Sequence, residues 1–98
     1  LQEKVFLMNV KRNKWILRRE IKKYSNIFLG ELYISESGIL AAAHLSGPGN
    51  VKKFLRNKAS KDFNKKDANG TSISDYIRIF KNYNLVDINQ ERRPKINQ

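Results

Sequence analysis

Residues 39–45, Ile-Leu-Ala-Ala-Ala-His-Leu, run directly into Ser46-Gly47-Pro48-Gly49. This stretch constrains the fold more than any other. Three successive alanines put minimal bulk on successive sides of a helix, because each residue turns the chain by 100°. Neighbouring elements can then approach from several directions. The segment is therefore predicted to be a central helix inside a small, mainly α domain. Gly47 can adopt a positive φ, and Pro48 lacks the N–H that would continue the ladder, so the helix is predicted to stop there. Pro48 also suits the first turn of a following helix. Two helices follow from this, over 36–45 and 49–57. Ser35 is placed to cap the first. Glu36 falls in its first turn, where a negative charge complements the helix dipole. The second helix carries Val51, Phe54 and Leu55 inward, with Lys52, Lys53 and Arg56 outward.

The flanking segments have their own periods. Over 2–24 one helix, or two in line, is predicted. Phe6, Val10, Leu17, Ile21 and Tyr24 form one apolar stripe, and Leu1, Val5, Met8 and Trp15 form a second. Lys4, Lys11, Lys14, Arg18 and Lys22 are expected to lay their stems on the surface and reach water with their charges. Gly30 separates Ile27-Phe28-Leu29 from Leu32-Tyr33-Ile34, which predicts a short hairpin or extended connection leaning on a helix. Residues 58–70 read as a polar loop anchored by Phe63. Ser72 and Asp75 have capping-box spacing and open a helix over 73–83, with Ile73, Tyr76, Ile77 and Phe80 on one face. The expected fold is a small helical domain of about four helices over 1–83, followed by a polar tail over 84–98.

Charge narrows the partners. Twenty Lys and Arg against nine Asp and Glu give +11. Such an excess favours a polyanion: nucleic acid, an anionic membrane or a cell-wall polymer. An AT-rich coding sequence would also enrich Lys, Asn and Ile, which are abundant here. With no cysteine there is neither a disulfide nor a thiolate metal site. No apolar run approaches the ~18 residues of a membrane span. The opening residues alternate apolar and charged side chains too finely for a signal peptide. The leucine start predicts a fragment, a processed product or part of a longer chain.

Few residues can carry chemistry. The Gly-Pro-Gly turn lacks the third glycine of a dinucleotide loop and the Gly-Lys-Ser/Thr of a phosphate loop. His44 is the sole imidazole, without a cysteine or a second histidine to complete a zinc site. It is a candidate for proton transfer or sugar binding, weighed against a role at the edge of the core. Glu36 is the candidate catalytic acid. A general acid needs apolar surroundings that raise its pKa, whereas a helix N-terminus favours the carboxylate, so a capping role competes. Tyr33 and Tyr76 join His44 as candidate substrate-binding residues. The segment 62–72 fails the calcium-loop pattern, since position six from Asp62 is Asp67 rather than glycine. Neither a metal nor a cofactor is predicted.

Two blocks together, Ile-Ser-Glu-Ser-Gly-Ile-Leu-Ala-Ala-Ala-His-Leu-Ser-Gly-Pro-Gly-Asn-Val-Lys-Lys-Phe-Leu-Arg-Asn and Asp-Ala-Asn-Gly-Thr-Ser-Ile-Ser-Asp-Tyr-Ile-Arg-Ile-Phe, follow a helix carrying Gln2 and Glu3. This order resembles the C-terminal half of a lysozyme-like peptidoglycan hydrolase domain of proteobacterial and phage proteins, over residues 1–83. The resemblance implies a lysozyme-like half-domain directed at peptidoglycan glycan strands or an anionic cell-wall polymer, in a periplasmic or secreted setting of bacterial or phage origin. It implies cleavage of a β-1,4 glycan bond through a glutamate or a carboxylate pair. In that family the acid glutamate and a Gly-Lys/Arg-Tyr-Gln-Phe segment stand upstream, and neither occurs in these residues. The chain is thus expected to be inactive alone: part of a glycoside hydrolase or lytic transglycosylase completed by an upstream segment of the same protein, or a glycan-binding remnant. Two alternatives stand beside it. One is a basic nucleic-acid-binding domain using Trp15, Tyr24, Tyr33, Tyr76 and Phe80. The other is a protein-interaction module of a secreted effector or phage particle.

Overall fold

The computed structural model describes the backbone of residues 3–81 and the side chains from residue 9 onward. In chain order the elements are α1 (Glu3–Ile16), α2 (Arg18–Tyr24), β1 (Ile27–Leu29), β2 (Leu32–Ile34), α3 (Glu36–Ser46), α4 (Pro48–Arg56), a 3-10 turn (Lys61–Phe63) and α5 (Ile73–Ile79). The architecture is mainly helical, with one two-stranded sheet. The expected tail over 84–98 lies outside the described residues, as do the side chains of Leu1, Val5, Phe6 and Met8.

The alanine-rich helix is central. The Ser35 hydroxyl accepts a 2.9 Å hydrogen bond from the Gly38 N–H, which starts α3 as a Ser cap should. Every residue from Ser37 to Ala43 is buried. Helices α1, α4 and α5 all pack against α3. A close backbone approach to this helix lies at its first turn, before the alanines. A Cβ on Gly38 would stand 2.8 Å from the Ile77 carbonyl oxygen and 3.0 Å from its Cα. Gly38 is what lets the backbone of α5 lie on α3.

Gly47, at φ 91°, serves as both the last cap of α3 and the first cap of α4, and its N–H bonds the Ala43 carbonyl. Pro48 occupies the first turn of α4, which begins one residue earlier than the sequence suggested. Val51, Phe54 and Leu55 are buried, while Lys53 and Arg56 are exposed. These three apolar residues join Leu17, Tyr24, Leu32, Ile34, Ile39, Ile73 and Ile77 in one core.

The N-terminal segment is two helices, broken at the buried Leu17, whose φ of −99° and ψ of 12° leave the helical region. Lys14 departs from expectation. It is 7 % exposed rather than solvated, because α1 turns it toward α3, where Glu36 meets it. Trp15 is half-buried, with the Arg18 guanidinium 3.8 Å above its ring.

The hairpin forms with Ile27 opposite Ile34, Phe28 opposite Tyr33 and Leu29 opposite Leu32. Gly30, at φ 65°, turns the chain. It leans on α5 through β2, whose Leu32 and Ile34 are buried. β1 by contrast exposes Ile27 and Phe28.

The loop after α4 is more ordered than its polarity suggested. Phe63 packs against the core. The Asp67 carboxylate accepts from the Asn69 and Thr71 N–H groups, each at 2.9 Å, and from the Tyr76 hydroxyl. Ser72 and Asp75 make the predicted capping box. Helix α5 then stops at Ile79, within the predicted 73–83. Past the buried Ile73 and Ile77, Ile79 turns outward and is 64 % exposed.

Candidate functional site

An open groove of about 420 Å³ lies between the hairpin and the end of α5, lined by Phe28, Glu31, Leu32, Tyr33, Arg78 and Lys81. The hairpin register creates its aromatic wall. Residues opposite each other in an antiparallel pair project to the same side, so Phe28 and Tyr33 become neighbours. Their rings meet edge-on with centroids 5.2 Å apart. The Tyr33 hydroxyl donates to Asn26 Oδ1 at 2.9 Å, which fixes the ring. The other wall is cationic. Arg78 reaches from α5, its guanidinium 3.4 Å from Asp75, and Lys81 follows the helix end. Glu31, on the hairpin turn, supplies the one carboxylate of the lining among the described residues. Two aromatic faces beside two cations suit an elongated ligand with apolar faces and acidic substituents.

The sequence-derived candidates are distributed over three places. Tyr33 lies in the groove. Glu36 and His44 lie on the seam between α1 and α3, eight residues or about 12 Å apart along the helix. At one end the Lys14 ammonium stands 3.3 Å from Glu36 Oε2. In the middle Val10 packs on Leu40. At the other end Asn9 Nδ2 approaches His44 Nδ1 at 3.4 Å. The two helices thus run antiparallel, with a polar contact at each end of an apolar one. Tyr76 belongs to the loop clamp with Asp67. The hydroxyl bond, with the Thr71 N–H beside it, holds the Asp67 carboxyl below its ordinary value, and the same contact raises the Tyr76 phenol.

Burial pushes the His44 imidazole below its usual value of 6.5. The folded protein therefore binds this proton less readily than the unfolded chain. The corresponding stability is full above pH 6.5 and falls as the pH drops through the lower folded value. The melting temperature is expected to decline between pH 7 and pH 5, and His44→Gln to flatten that decline. A His44→Gln profile parallel to that of the parent would disprove the assignment. The depressed Asp67 and Asp75 carboxyls contribute their own loss only below about pH 4.

Phe28, Arg78 and Lys81 did not stand out among the sequence-derived site residues. Phe28 was legible as the partner of Tyr33 across a two-residue turn. Arg78 and Lys81 needed the tertiary contact of β2 with α5. Of the aromatics considered for nucleic-acid stacking, Tyr24 is buried and Trp15, Tyr76 and Phe80 are half-buried. No helix among the described residues is long and apolar enough to cross a membrane. No protein-family model, no curated protein and no solved structure matches the chain.

Proposed function

We propose that this chain is a peptidoglycan-directed module, the C-terminal half of a lysozyme-like domain, that holds a glycan strand in the groove between the hairpin and α5. The observation that carries this reading is the pairing of the Phe28 and Tyr33 rings with Arg78 and Lys81 around one open groove. Sugar rings present C–H faces that lie against aromatic rings, and the carboxylates borne by peptidoglycan meet the two cations. The order of helix, hairpin, alanine helix, glycine turn and capped α5 supports the same reading.

In this proposal the chain binds and orients. Glu36 is engaged by Lys14, and Tyr76 by Asp67, so both serve the scaffold. Cleavage of the β-1,4 bond then requires an acid delivered by a polypeptide segment outside these residues. The test is co-sedimentation with purified, lipid-free peptidoglycan sacculi at 0.15 M salt. The parent chain is expected to be retained, and Phe28→Ala and Tyr33→Ala each to weaken retention by roughly tenfold. A parent chain left in the supernatant, or variants retained as well as the parent, would refute the reading.

A further inference from the structure

A second surface, separate from the groove, is formed by α2 and α4. Helix α2 is Arg-Arg-Glu-Ile-Lys-Lys-Tyr and α4 is Pro-Gly-Asn-Val-Lys-Lys-Phe-Leu-Arg, so Glu20 is the single acid in either helix. Glu20 does not offset the outer charge broadly. It is 3 % exposed, and its Oε2 accepts from Arg56 Nε at 3.0 Å and stands 2.8 Å from Arg56 Nη2. That carboxylate ties the two helices together and is spent on Arg56. Outside that pair, Arg19, Lys22 and Lys23 of α2 are exposed, and so are Lys53 of α4 and Lys58 just beyond it.

The spacing makes this a sheet of charge rather than a line. Arg19, Lys22 and Lys23 stand at i, i+3 and i+4, on one side of α2. Lys53 stands on α4, which packs beside it, and Lys58 follows just beyond. Like charges crowded in this way destabilise the folded chain unless counter-charge covers them. Three residues past α2, the chain enters β1 and exposes Ile27, 40 % accessible.

We infer that the α2–α4 face is a docking surface for an anionic phospholipid bilayer, with Ile27 as its apolar contact. Lipid headgroups are mobile in two dimensions and adjust to two rows of cations. Nucleic-acid phosphates are held at fixed spacing along their backbones and cannot adjust in this way. The exposed Ile27, three residues past the end of α2, gains from the acyl boundary and gains nothing from a phosphate backbone. Cations combined with an apolar contact are the pair of signals that surface-bound proteins use. The chain lies on the bilayer without spanning it.

Vesicle co-sedimentation at 0.15 M salt tests this, using equal parts phosphatidylglycerol and phosphatidylcholine against phosphatidylcholine alone. The chain is expected to bind the anionic vesicles and to leave the neutral ones unbound. Each cation removed is expected to cost about fivefold, so Arg19→Gln/Lys22→Gln/Lys23→Gln together weaken binding roughly 100-fold. Ile27→Ser is expected to weaken it about fivefold. All these positions are exposed, and circular dichroism checks that the variants fold as the parent does. Equal binding to both vesicles, a triple variant that binds as the parent does, or a parent that ignores vesicles and binds a 20-base-pair DNA duplex would overturn the inference. The groove reading fails separately: Tyr33→Ala should leave vesicle binding unchanged, and the triple variant should keep its Tyr33-dependent retention on lipid-free sacculi.

Discussion

Replacing Gly38 with alanine lowers the melting temperature by roughly 8–16 °C, the equivalent of about 2 kcal/mol in a domain of this size. Two effects compete. Alanine is the better helix former, by about 1 kcal/mol. Against that, the new Cβ would stand 2.8 Å from the Ile77 carbonyl oxygen and 3.0 Å from its Cα. Both are backbone atoms, so no rotamer change relieves the clash. The two helices must move apart, and overpacking of this sort costs about 3 kcal/mol. The overpacking term wins. Thermal unfolding followed by circular dichroism measures it, and a Gly38→Ala protein as stable as the parent would show that α5 does not lie on α3 at this point. Gly49, with open space around its missing side chain, is the matched control.

Glu36→Ala is expected to cost about 2–3 kcal/mol. The change removes the carboxylate that faces Lys14, whose side chain is 8 % exposed. Breaking a fully buried pair costs about 3–5 kcal/mol, because the surviving charge stays desolvated. Here 26 % of the Glu36 side chain reaches solvent, which reduces the effect. Removing both charges, as Lys14→Met/Glu36→Ala, is expected to restore most of the loss, since no desolvated ammonium is left. A double-mutant cycle by urea unfolding reads the coupling. Additive single effects would mean that the two side chains do not hold α1 to α3. Retention on sacculi, corrected for the folded fraction, should be unaltered by Glu36→Ala on the scaffold reading, whereas a role for Glu36 in the glycan site requires it to fall.

Much of the fold was legible because local chemistry dictated it. Ser35, the Ser72–Asp75 box, Gly47 and Pro48 are capping residues whose roles follow from the orphan groups at helix ends. Val51, Phe54 and Leu55, or Ile73 and Ile77, declare a buried face by spacing alone. What escaped was set between elements. Lys14 reads as one more surface cation until α3 brings Glu36 to it. Gly38 reads as an unremarkable first-turn residue until α5 arrives. The groove was half legible: Tyr33 and its cross-strand neighbour Phe28 belong to one hairpin, but Arg78 and Lys81 are separated from them by some fifty residues and come near only through β2. Glu36 and His44, the most chemical residues in the sequence, share a helix without sharing a site, because their separation of eight positions amounts to more than two turns.

The junction at Gly47 constrains how this chain can vary over time. A single residue terminates one helix and launches the next, so an added or lost residue there would break a shared cap and shift α4 relative to α3, displacing Phe54 and Leu55 from their places in the core. The stretch after α4 is pinned at Phe63 and by the Asp67 clamp, but the positions between these points are mostly exposed turns, where a change of length displaces no core residue. Insertions and deletions accumulating in descendants of this gene should therefore collect after α4, while the corner between α3 and α4 keeps its length.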